Sequence, residues 1–100
     1  MATSKRTLRI ELAPELKEAI RRLPKRQRQQ IGDVITAVHD GFGTPHLHSG
    51  LGIRRLRDSF FECRVGLKLR LVFDAEPGVL SFTDLATHDE IRKAMKKRKA

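Results

Sequence analysis

Residues 61–73 alternate between apolar and polar side chains on either side of a single glycine, Gly66. A period of two is typical of a β-strand with one buried face. The pattern therefore predicts a hairpin that turns around Gly66. Its core face carries Phe61, Cys63, Val65, Leu69, Leu71 and Phe73, and its solvent face carries Glu62, Arg64, Lys68 and Arg70.

Two amphipathic helices precede this hairpin. Their apolar residues recur at positions i, i+3, i+4 and i+7, which places them in one stripe along each helix. Pro14 suits the first turn of the first helix and Pro24 ends it, whereas Gly41 and Gly43 end the second. The stripes consist of Leu16, Ala19, Ile20 and Leu23, and of Ile31, Val34, Ile35 and Val38. Before them, the alternating residues 7–12 predict a half-buried strand.

The remaining segments complete an α+β fold. Residues 79–85 predict another strand after the turn at residues 76–78, and residues 51–57 are the least regular candidate strand. Thr87 or Asp89 can cap a final helix. The predicted order is β-α-α-β-β-β-α, with the helical hairpin packed on one face of an antiparallel sheet and a C-terminal helix at its end.

Length and charge narrow the class of protein. One hundred residues form one domain, residues 1–100, with one core. The 21 Lys and Arg residues against 12 Asp and Glu residues give a net charge of +9, which favours nucleic acid as the partner. An acidic protein partner, or a basic surface that serves only solubility, fits the same charge.

No apolar segment approaches the ~20 residues of a membrane-spanning helix, and the lone cysteine, Cys63, agrees with a reducing cytoplasm. We therefore expect a cytoplasmic protein.

Arg64 and Arg70 are the first candidates for a functional site. They are expected near opposite ends of the predicted hairpin on its solvent face, where one phosphate can contact both guanidinium groups. Arginine binds phosphate through paired hydrogen bonds, keeps its charge and stabilises charge that develops during phosphoryl transfer. The alternative is structural, because solvent-facing strand residues are often arginine and Arg64 can pair with Glu62 or Asp74.

The four histidines differ in what their positions allow. His88 follows the last strand at the junction with the final helix, where an imidazole can transfer a proton, although a surface or capping role is the alternative. His39 adjoins the apolar stripe of the second helix and is interpreted as structural. His46 and His48 form at most half of a metal site, so that lining an RNA groove is the favoured role. No metal or other cofactor is predicted.

Other cations extend the candidate nucleic-acid surface. The basic end of the final helix can bind along the backbone phosphates of a nucleic acid. The alternative is a solvated helix end without a binding role. Cys63 lies on the core face of the hairpin, which favours a buried, inert thiol over a nucleophile. The candidate RNA-binding residues are His46, His48, Arg54, Arg55, Lys68, Lys96 and Lys97.

Five short motifs occur along the chain in an order known from one protein superfamily. They are Leu23-Pro24, Arg55-Leu56, Phe61-Glu62-Cys63-Arg64-Val65-Gly66, Leu69-Arg70-Leu71-Val72-Phe73 and His88-Asp89-Glu90-Ile91. Together they resemble the RelE/ParE superfamily of type II toxin–antitoxin toxins, in particular RelE/YafQ-like mRNA interferases, and the string Thr87-His88-Asp89 is most similar to the YafQ-type toxins. The resemblance extends from Thr7 to Lys97.

The resemblance implies a microbial RNase-like fold and a ribosome-dependent mRNA endoribonuclease, an mRNA interferase, that inhibits translation. In this metal-independent chemistry the ribose 2′-hydroxyl attacks the adjacent phosphate. The resemblance assigns Arg70 to the scissile phosphate, His88 to proton transfer, and Arg64 with His46 or His48 to supporting roles. It also implies a cognate antitoxin protein, the ribosome and mRNA as partners.

Two other functions remain open at this stage. A ParE-like inhibitor of DNA gyrase acts by protein contact and needs no acid or base, so the placement of Arg70 and His88 on one face argues against it. A non-catalytic RNA-binding protein would use the same net charge of +9.

Overall fold

The computed structural model describes residues 8–43, 48 and 50–97, with side chains as far as Ala94. The strands are β1 (Arg9–Leu12), β2 (Arg54–Arg57), β3 (Phe60–Val65), β4 (Leu69–Glu76) and β5 (Val79–Thr87), and the helices are α1 (Pro14–Arg21), α2 (Lys25–Gly41) and α3 (His88–Lys97). The α+β class is confirmed. The order β-α-α-β-β-β-β-α has one strand more than predicted, because part of the irregular segment 51–57 pairs with β3 as β2. None of the described helices is both long and apolar enough to span a membrane.

The five described strands form one sheet in the order β1-β5-β4-β3-β2. Strands β2 to β5 are antiparallel neighbours, whereas β1 pairs with β5 in parallel, so the sheet is mixed rather than wholly antiparallel. Helices α1 and α2 carry the chain from the β1 edge to the β2 edge across one face. Period-two patterns cannot reveal such a pairing, because they fix which face is buried and not which strand lies alongside.

The core lies between this helical layer and the sheet. Leu16 of α1 and Ile31 and Val38 of α2 are each 2% exposed or less. They belong to one buried cluster with sheet residues, namely Ile53, Cys63, Val65, Leu71, Phe73, Leu80 and Phe82. The predicted hairpin core face and the α2 stripe are therefore confirmed, whereas the α1 stripe is confirmed except at Ala19, which is exposed because it lies at the edge of the buried face of the helix.

Two features of this core follow from its composition. Phe73 contacts three aromatic rings, with centroid distances of 5.6 Å to Phe42, 5.6 Å to Phe61 and 5.0 Å to Phe82. Cys63 is fully buried, and burial raises the pKa of its thiol to about 12. The prediction of a buried thiol is confirmed, and its raised pKa favours the thiol over the nucleophilic thiolate.

Two irregularities in pairing decide which residues face away from the helices. The register shifts between Arg55 and Arg57 in β2, which explains why that segment does not alternate cleanly. A second shift between Val72 and Phe73 of β4 lets Phe82 pair with Phe73 while Asp84 pairs with Val72. After this shift, Asp84 and Ala86 of β5 lie on the face opposite the helices, shortly before α3 begins at His88.

Candidate active site

The face of the sheet opposite α1 and α2, here called the open face, carries the charged residues. Strand pairing places Arg54 of β2 beside Glu62 of β3, and Glu62 beside Val72 of β4. One register step further, Arg70 of β4 pairs with Arg64 of β3 and with Ala86 of β5. The open face is defined by these residues together with Asp84.

Glu62 lies at the centre of this face and is only 1% exposed. Its carboxylate oxygen Oε2 is 3.7 Å from Nε of Arg54 and 3.9 Å from Nη1 of Arg70. Neither carboxylate oxygen makes a hydrogen bond within the described residues. The expectation that Glu62 faces solvent is therefore wrong, because the surrounding side chains cover a residue that the alternation places correctly on the outer face.

Arg70 is held beside this carboxylate, with only 19% of its side chain exposed. The hairpin register makes Arg64 its direct cross-strand partner, not a residue near the opposite end of the hairpin as the sequence suggested. The alternative pairing of Arg64 with Glu62 does not occur: the two ion-pair partners of Glu62 are Arg54 and Arg70.

Arg64 takes a different path from Arg70, because its side chain lies against Gly52. A Cβ atom at Gly52 would lie 2.9 Å from both Cβ and Nε of Arg64, and Gly52 has a φ of +70° that glycine adopts without strain. Arg64 thereby lines a groove of about 320 Å³ with residues of α2, including Gln30 and Asp33. Arg64 and Arg70 are paired across neighbouring strands. The side chain of Arg64 nevertheless lies at the margin of the sheet, whereas that of Arg70 lies near its centre.

His88 lies at the same end of the sheet as Arg70. It begins α3 two residues after Ala86, the β5 partner of Arg70. Its side chain is half-buried, and its Nδ1 atom is buried without a hydrogen-bond partner among the described residues. Nδ1 is therefore not held by a hydrogen bond to any residue that the structure describes, and as a buried atom it is not exposed on the open face in this structure.

A capping box fixes the start of α3. The hydroxyl of Thr87 accepts a hydrogen bond of 3.2 Å from the backbone N–H of Glu90, and the Glu90 carboxylate accepts one of 2.8 Å from the N–H of Thr87. This backbone hydrogen bond lowers the pKa of Glu90 below its usual value. Thr87 is therefore the capping residue of the two that the sequence allowed, and it sets the position of His88.

The other candidate RNA-binding residues occupy separate places. Arg55 donates from Nε to the backbone carbonyl of Asp58 at 2.7 Å, which ties it to the β2–β3 turn. Lys68 is exposed in the β3–β4 turn. His46 lies outside the described residues, and Lys96 and Lys97 lie in α3 with side chains outside them.

His48 is attached to the helical side of the sheet. Its ring stacks on Phe42 at 5.6 Å, and its Nε2 atom accepts a hydrogen bond from the backbone N–H of Gly43 at 3.1 Å. Phe42 in turn contacts Phe61 and Phe73 of the core face. The fold thus does not bring His48 to the open face with Arg70, and its role toward RNA stays a prediction.

His39 has the structural role that the sequence indicated. Its Nε2 atom bonds to the backbone carbonyl of Leu8 at 2.8 Å and its Nδ1 atom to the carboxylate of Asp40 at 2.9 Å. The hydrogen bond to Asp40, followed by the bond to Leu8, raises the pKa of His39 above its usual 6.5. His39 therefore fastens the end of α2 to the beginning of β1.

Sequence reasoning missed Glu62 as a member of the site. The available signal was its place in the motif Phe61-Glu62-Cys63-Arg64, but only the pairing with β2 and β4 shows that two arginines surround it. Within residues 8–43, 48 and 50–97, no three His, Cys, Asp or Glu side chains come together as potential metal ligands.

Comparisons with known proteins identify the fold. No protein-family model matches the sequence, and no curated protein matches it significantly. Among solved structures, the archaeal RelE–RelB complex from Pyrococcus horikoshii OT3 contains a similar chain, with a TM-score of 0.67 and 15% identity over 81% of this chain and 94% of that one. YafQ from E. coli strain BL21(DE3) gives a TM-score of 0.63 and 13% identity over 85% and 98% of the two chains.

A third similar structure is the YoeB–YefM complex from Staphylococcus aureus, with a TM-score of 0.61 and 18% identity over 81% of this chain and 97% of that one. At these identities the similarity is one of fold. The resemblance seen in the motifs is thereby confirmed: this chain has the fold of the RelE, YafQ and YoeB toxins.

Proposed function

We propose that this chain is the toxin of a type II toxin–antitoxin system and acts as a metal-independent endoribonuclease that cleaves mRNA on the ribosome. The observation that carries the proposal is the placement of Arg70 and His88 at one end of the open face, on a fold shared with RelE, YafQ and YoeB. Cleavage of this kind stops translation in the cytoplasm, where mRNA and ribosomes are found.

The reaction that suits these groups is an internal transfer of the phosphate. A bond forms between the ribose 2′-oxygen and phosphorus while the bond from phosphorus to the 5′-oxygen breaks. The 2′ proton passes to a base, and the 5′-oxygen receives a proton from an acid. His88 is the proton-transfer residue, and the guanidinium of Arg70 binds the phosphate and the additional negative charge of the transition state.

Glu62 and Arg64 have supporting roles in this proposal. Glu62 is close enough to Arg54 and Arg70 to hold both cations beside one another by charge, yet at 3.7 and 3.9 Å it does not occupy their hydrogen-bond donors. Those donors remain available to a phosphate. Arg64, at the margin of the sheet, binds a neighbouring phosphate of the same strand.

The partner that controls this activity is an antitoxin protein. Similar structures include RelE with RelB, YoeB with YefM, and YafQ with DinJ. A partner that is acidic in part would complement the net charge of +9 and cover the open face.

The test compares Arg70→Ala and His88→Ala with the wild-type chain on ribosomes programmed with a defined mRNA. Each variant should lose about 100-fold or more in cleavage rate while still binding ribosomes. Arg9→Ala serves as the control, because Arg9 is exposed and lies on β1 at the sheet edge. Cleavage is read from the new RNA ends.

Three results would reject the proposal. The first is cleavage that survives both substitutions. The second is loss of RNA affinity in proportion to charge with no cleavage by any form, which identifies a non-catalytic binder. The third is trapped DNA breaks with intact mRNA, which identifies a gyrase inhibitor of the ParE type.

A further inference from the structure

The connection between α1 and α2 carries a concentration of positive charge that the proposed site does not use. Residues 17–28 contain six Lys and Arg residues and a single acidic residue, Glu18. All six cations are exposed. We call this surface the basic corner, and its cations are Lys17, Arg21, Arg22, Lys25, Arg26 and Arg28.

Two of the six cations, Arg21 and Arg28, contact other groups within the corner. Arg21 forms an ion pair with Glu18 at 3.2 Å. The Arg28 guanidinium donates to the backbone carbonyls of Arg21 at 3.4 Å and Leu23 at 3.2 Å, and so satisfies groups at the end of α1 that the helix leaves unpaired. These bonds connect the first turn of α2 to the end of α1.

The other four cations of the corner have no acidic partner. Lys17, Arg22, Lys25 and Arg26 form no ion pair with any residue that the structure describes. Their charges are therefore available to a ligand. A fixed group of unneutralised cations on a small protein attracts a polyanion and releases the counterions of its phosphates.

The chemistry of the corner favours nucleic acid over protein. Protein–protein interfaces are enriched in arginine but also in aromatic residues, and their centres are apolar, whereas surfaces that bind nucleic acid are polar and strongly positive. The apolar side chains of the corner, Ile20 and Leu23, are half-buried and pack against the core. In the described part of the chain the exposed large hydrophobic residue is Leu67, which lies outside the corner.

The corner also lacks what single strands require. Proteins bind single-stranded RNA largely by stacking its bases on aromatic rings. Residues 17–28 contain no aromatic residue, and the exposed neutral side chain that follows them, Gln29, offers hydrogen bonds only. Duplex RNA is instead recognised through its backbone and shape, for which cations suffice.

We propose that the basic corner is a second nucleic-acid surface, which binds the phosphate backbone of double-stranded RNA. It lies on the helical layer, and hence on the opposite side of the sheet from the open face. Binding there is independent of cleavage, because none of its cations belongs to the candidate active site.

The corner and the open face nevertheless share one end of the molecule. Gln30, two residues beyond the corner, reaches the β3–β4 turn, where its Nε2 atom lies 3.1 Å from the position of a Cβ on Gly66. At that same end Leu69 pairs with Thr87, the residue before His88. A duplex bound at the corner therefore places an adjoining single strand near the open face, a consequence that rests on the proposed function.

The experiment measures binding of the full chain to a blunt duplex RNA of about 16 base pairs, the length a double-stranded RNA-binding domain spans, at several salt concentrations. The corner variant carries Arg22→Gln, Lys25→Gln and Arg26→Gln. The matched control carries Arg9→Gln, Arg57→Gln and Arg92→Gln, which remove three exposed cations elsewhere. The corner variant should bind at least about tenfold more weakly, with a salt slope smaller by about two to three, while the control changes about threefold or less.

Unchanged melting temperatures and circular dichroism should accompany both variants, since all six substitutions lie at exposed positions. Equal weakening by corner and control variants would overturn the proposal, because the net charge alone would then explain binding. Tighter binding of a DNA duplex of the same sequence would overturn the assignment to RNA. A corner variant that keeps its RNA affinity but no longer binds an acidic antitoxin would assign the corner to a protein.

The outcome does not depend on the cleavage proposal. The variant Arg70→Ala should keep duplex affinity within about threefold of wild type, whether or not the wild-type chain cuts RNA, because one phosphate contact at most is lost. At saturating protein concentration, the corner variant should still cleave a defined mRNA on programmed ribosomes at the wild-type rate if the chain is a nuclease. Absence of cleavage in every form, with the corner effect intact, would reject the proposed function and leave the RNA surface standing.

Discussion

Glu62 combines two properties that rarely occur together in one carboxylate. It is buried to 1% exposure and carries no hydrogen bond within the described residues, while two arginines approach it to 3.7 and 3.9 Å. A buried carboxylate without hydrogen bonds is unfavourable for folding. Its position at the centre of the open face is explained if the carboxylate keeps Arg54 and Arg70 close together despite their repulsion.

The substitution Glu62→Gln tests this role with little change in shape. Removal of the negative charge should strengthen RNA binding about threefold, because Arg54 and Arg70 then act on phosphate without an internal competitor. It should also slow cleavage by about tenfold or more, or ~1.4 kcal/mol, because Arg70 is less well positioned. Dissociation constants and single-turnover rates, measured separately, distinguish the two effects.

Glu76→Gln is the matched control, since Glu76 is exposed and lies at the end of β4, where it pairs with Val79 of β5 and not with β3. It makes the same change of charge and should alter neither quantity by more than about twofold, because exposed charges are screened. If Glu62→Gln weakens RNA binding and cleavage by the same factor, the positioning role is wrong.

His39 makes stability depend on pH. Its pKa is raised above 6.5, first by the hydrogen bond to Asp40 and then by the bond to Leu8. A raised pKa means that the folded state binds the proton more tightly than the unfolded state. The stabilisation is therefore complete below about pH 6.5 and is lost as the pH rises through the folded pKa.

Proton NMR should show the His39 ring titrating above 6.5, and Asp40→Asn should move that pKa back toward 6.5. Urea unfolding at pH 6 and pH 8 should show that His39 contributes less to the free energy of unfolding at pH 8 in the wild type. In Asp40→Asn, the difference in that contribution between the two pH values should be smaller. A His39 pKa at or below 6.5 would contradict the assignment.

At the scale of elements, α3 determines where His88 lies. The sequence contained the signal for this helix, since Thr87 and Glu90 have the spacing of a capping box and both hydrogen bonds form. The hairpin of β3 and β4 was predictable for the same reason, because alternation and Gly66 are local. The parallel pairing of β1 with β5 and the cover over Glu62 were not predictable, since both depend on residues distant in sequence.

Thr87→Ala should destabilise the protein by about 1 kcal/mol, within a range of about 0.5–2 kcal/mol. The substitution removes the acceptor for the backbone N–H of Glu90 and loosens the first turn of α3. Thr87→Ser keeps the hydroxyl and should restore most of the loss. The measurement is the free energy of unfolding in urea, and equal stability of all three forms would show that the cap contributes nothing.

At the scale of the whole molecule, one core joins the two layers. Phe73 is fully buried and contacts the rings of Phe42, Phe61 and Phe82, which come from the end of α2 and from two other strands. The sequence predicted that Phe73 faces the core. Its partners Phe42 and Phe82 come together only when α2 and β5 pack on β4.

Phe73→Ala should therefore destabilise the protein by about 3–5 kcal/mol, a large part of the ~5–15 kcal/mol that a domain has in total. Thermal unfolding should shift downward by at least about 12 °C. Leu67→Ala is the control, because Leu67 is 97% exposed and such changes stay within about 0.5 kcal/mol. Equal effects of the two substitutions would place the core elsewhere.

The parallel pairing of β1 with β5 determines when, during its synthesis, the protein can complete its sheet. Arg9 pairs with Val79, 70 positions later (79 − 9), and the chain reaches His88 later still. During synthesis β1 remains without its sheet partner until Val79–Phe82 of β5 have left the exit tunnel. The sheet is therefore completed only after β5 has been made, and the end of the open face that carries Arg70 and His88 is completed with it.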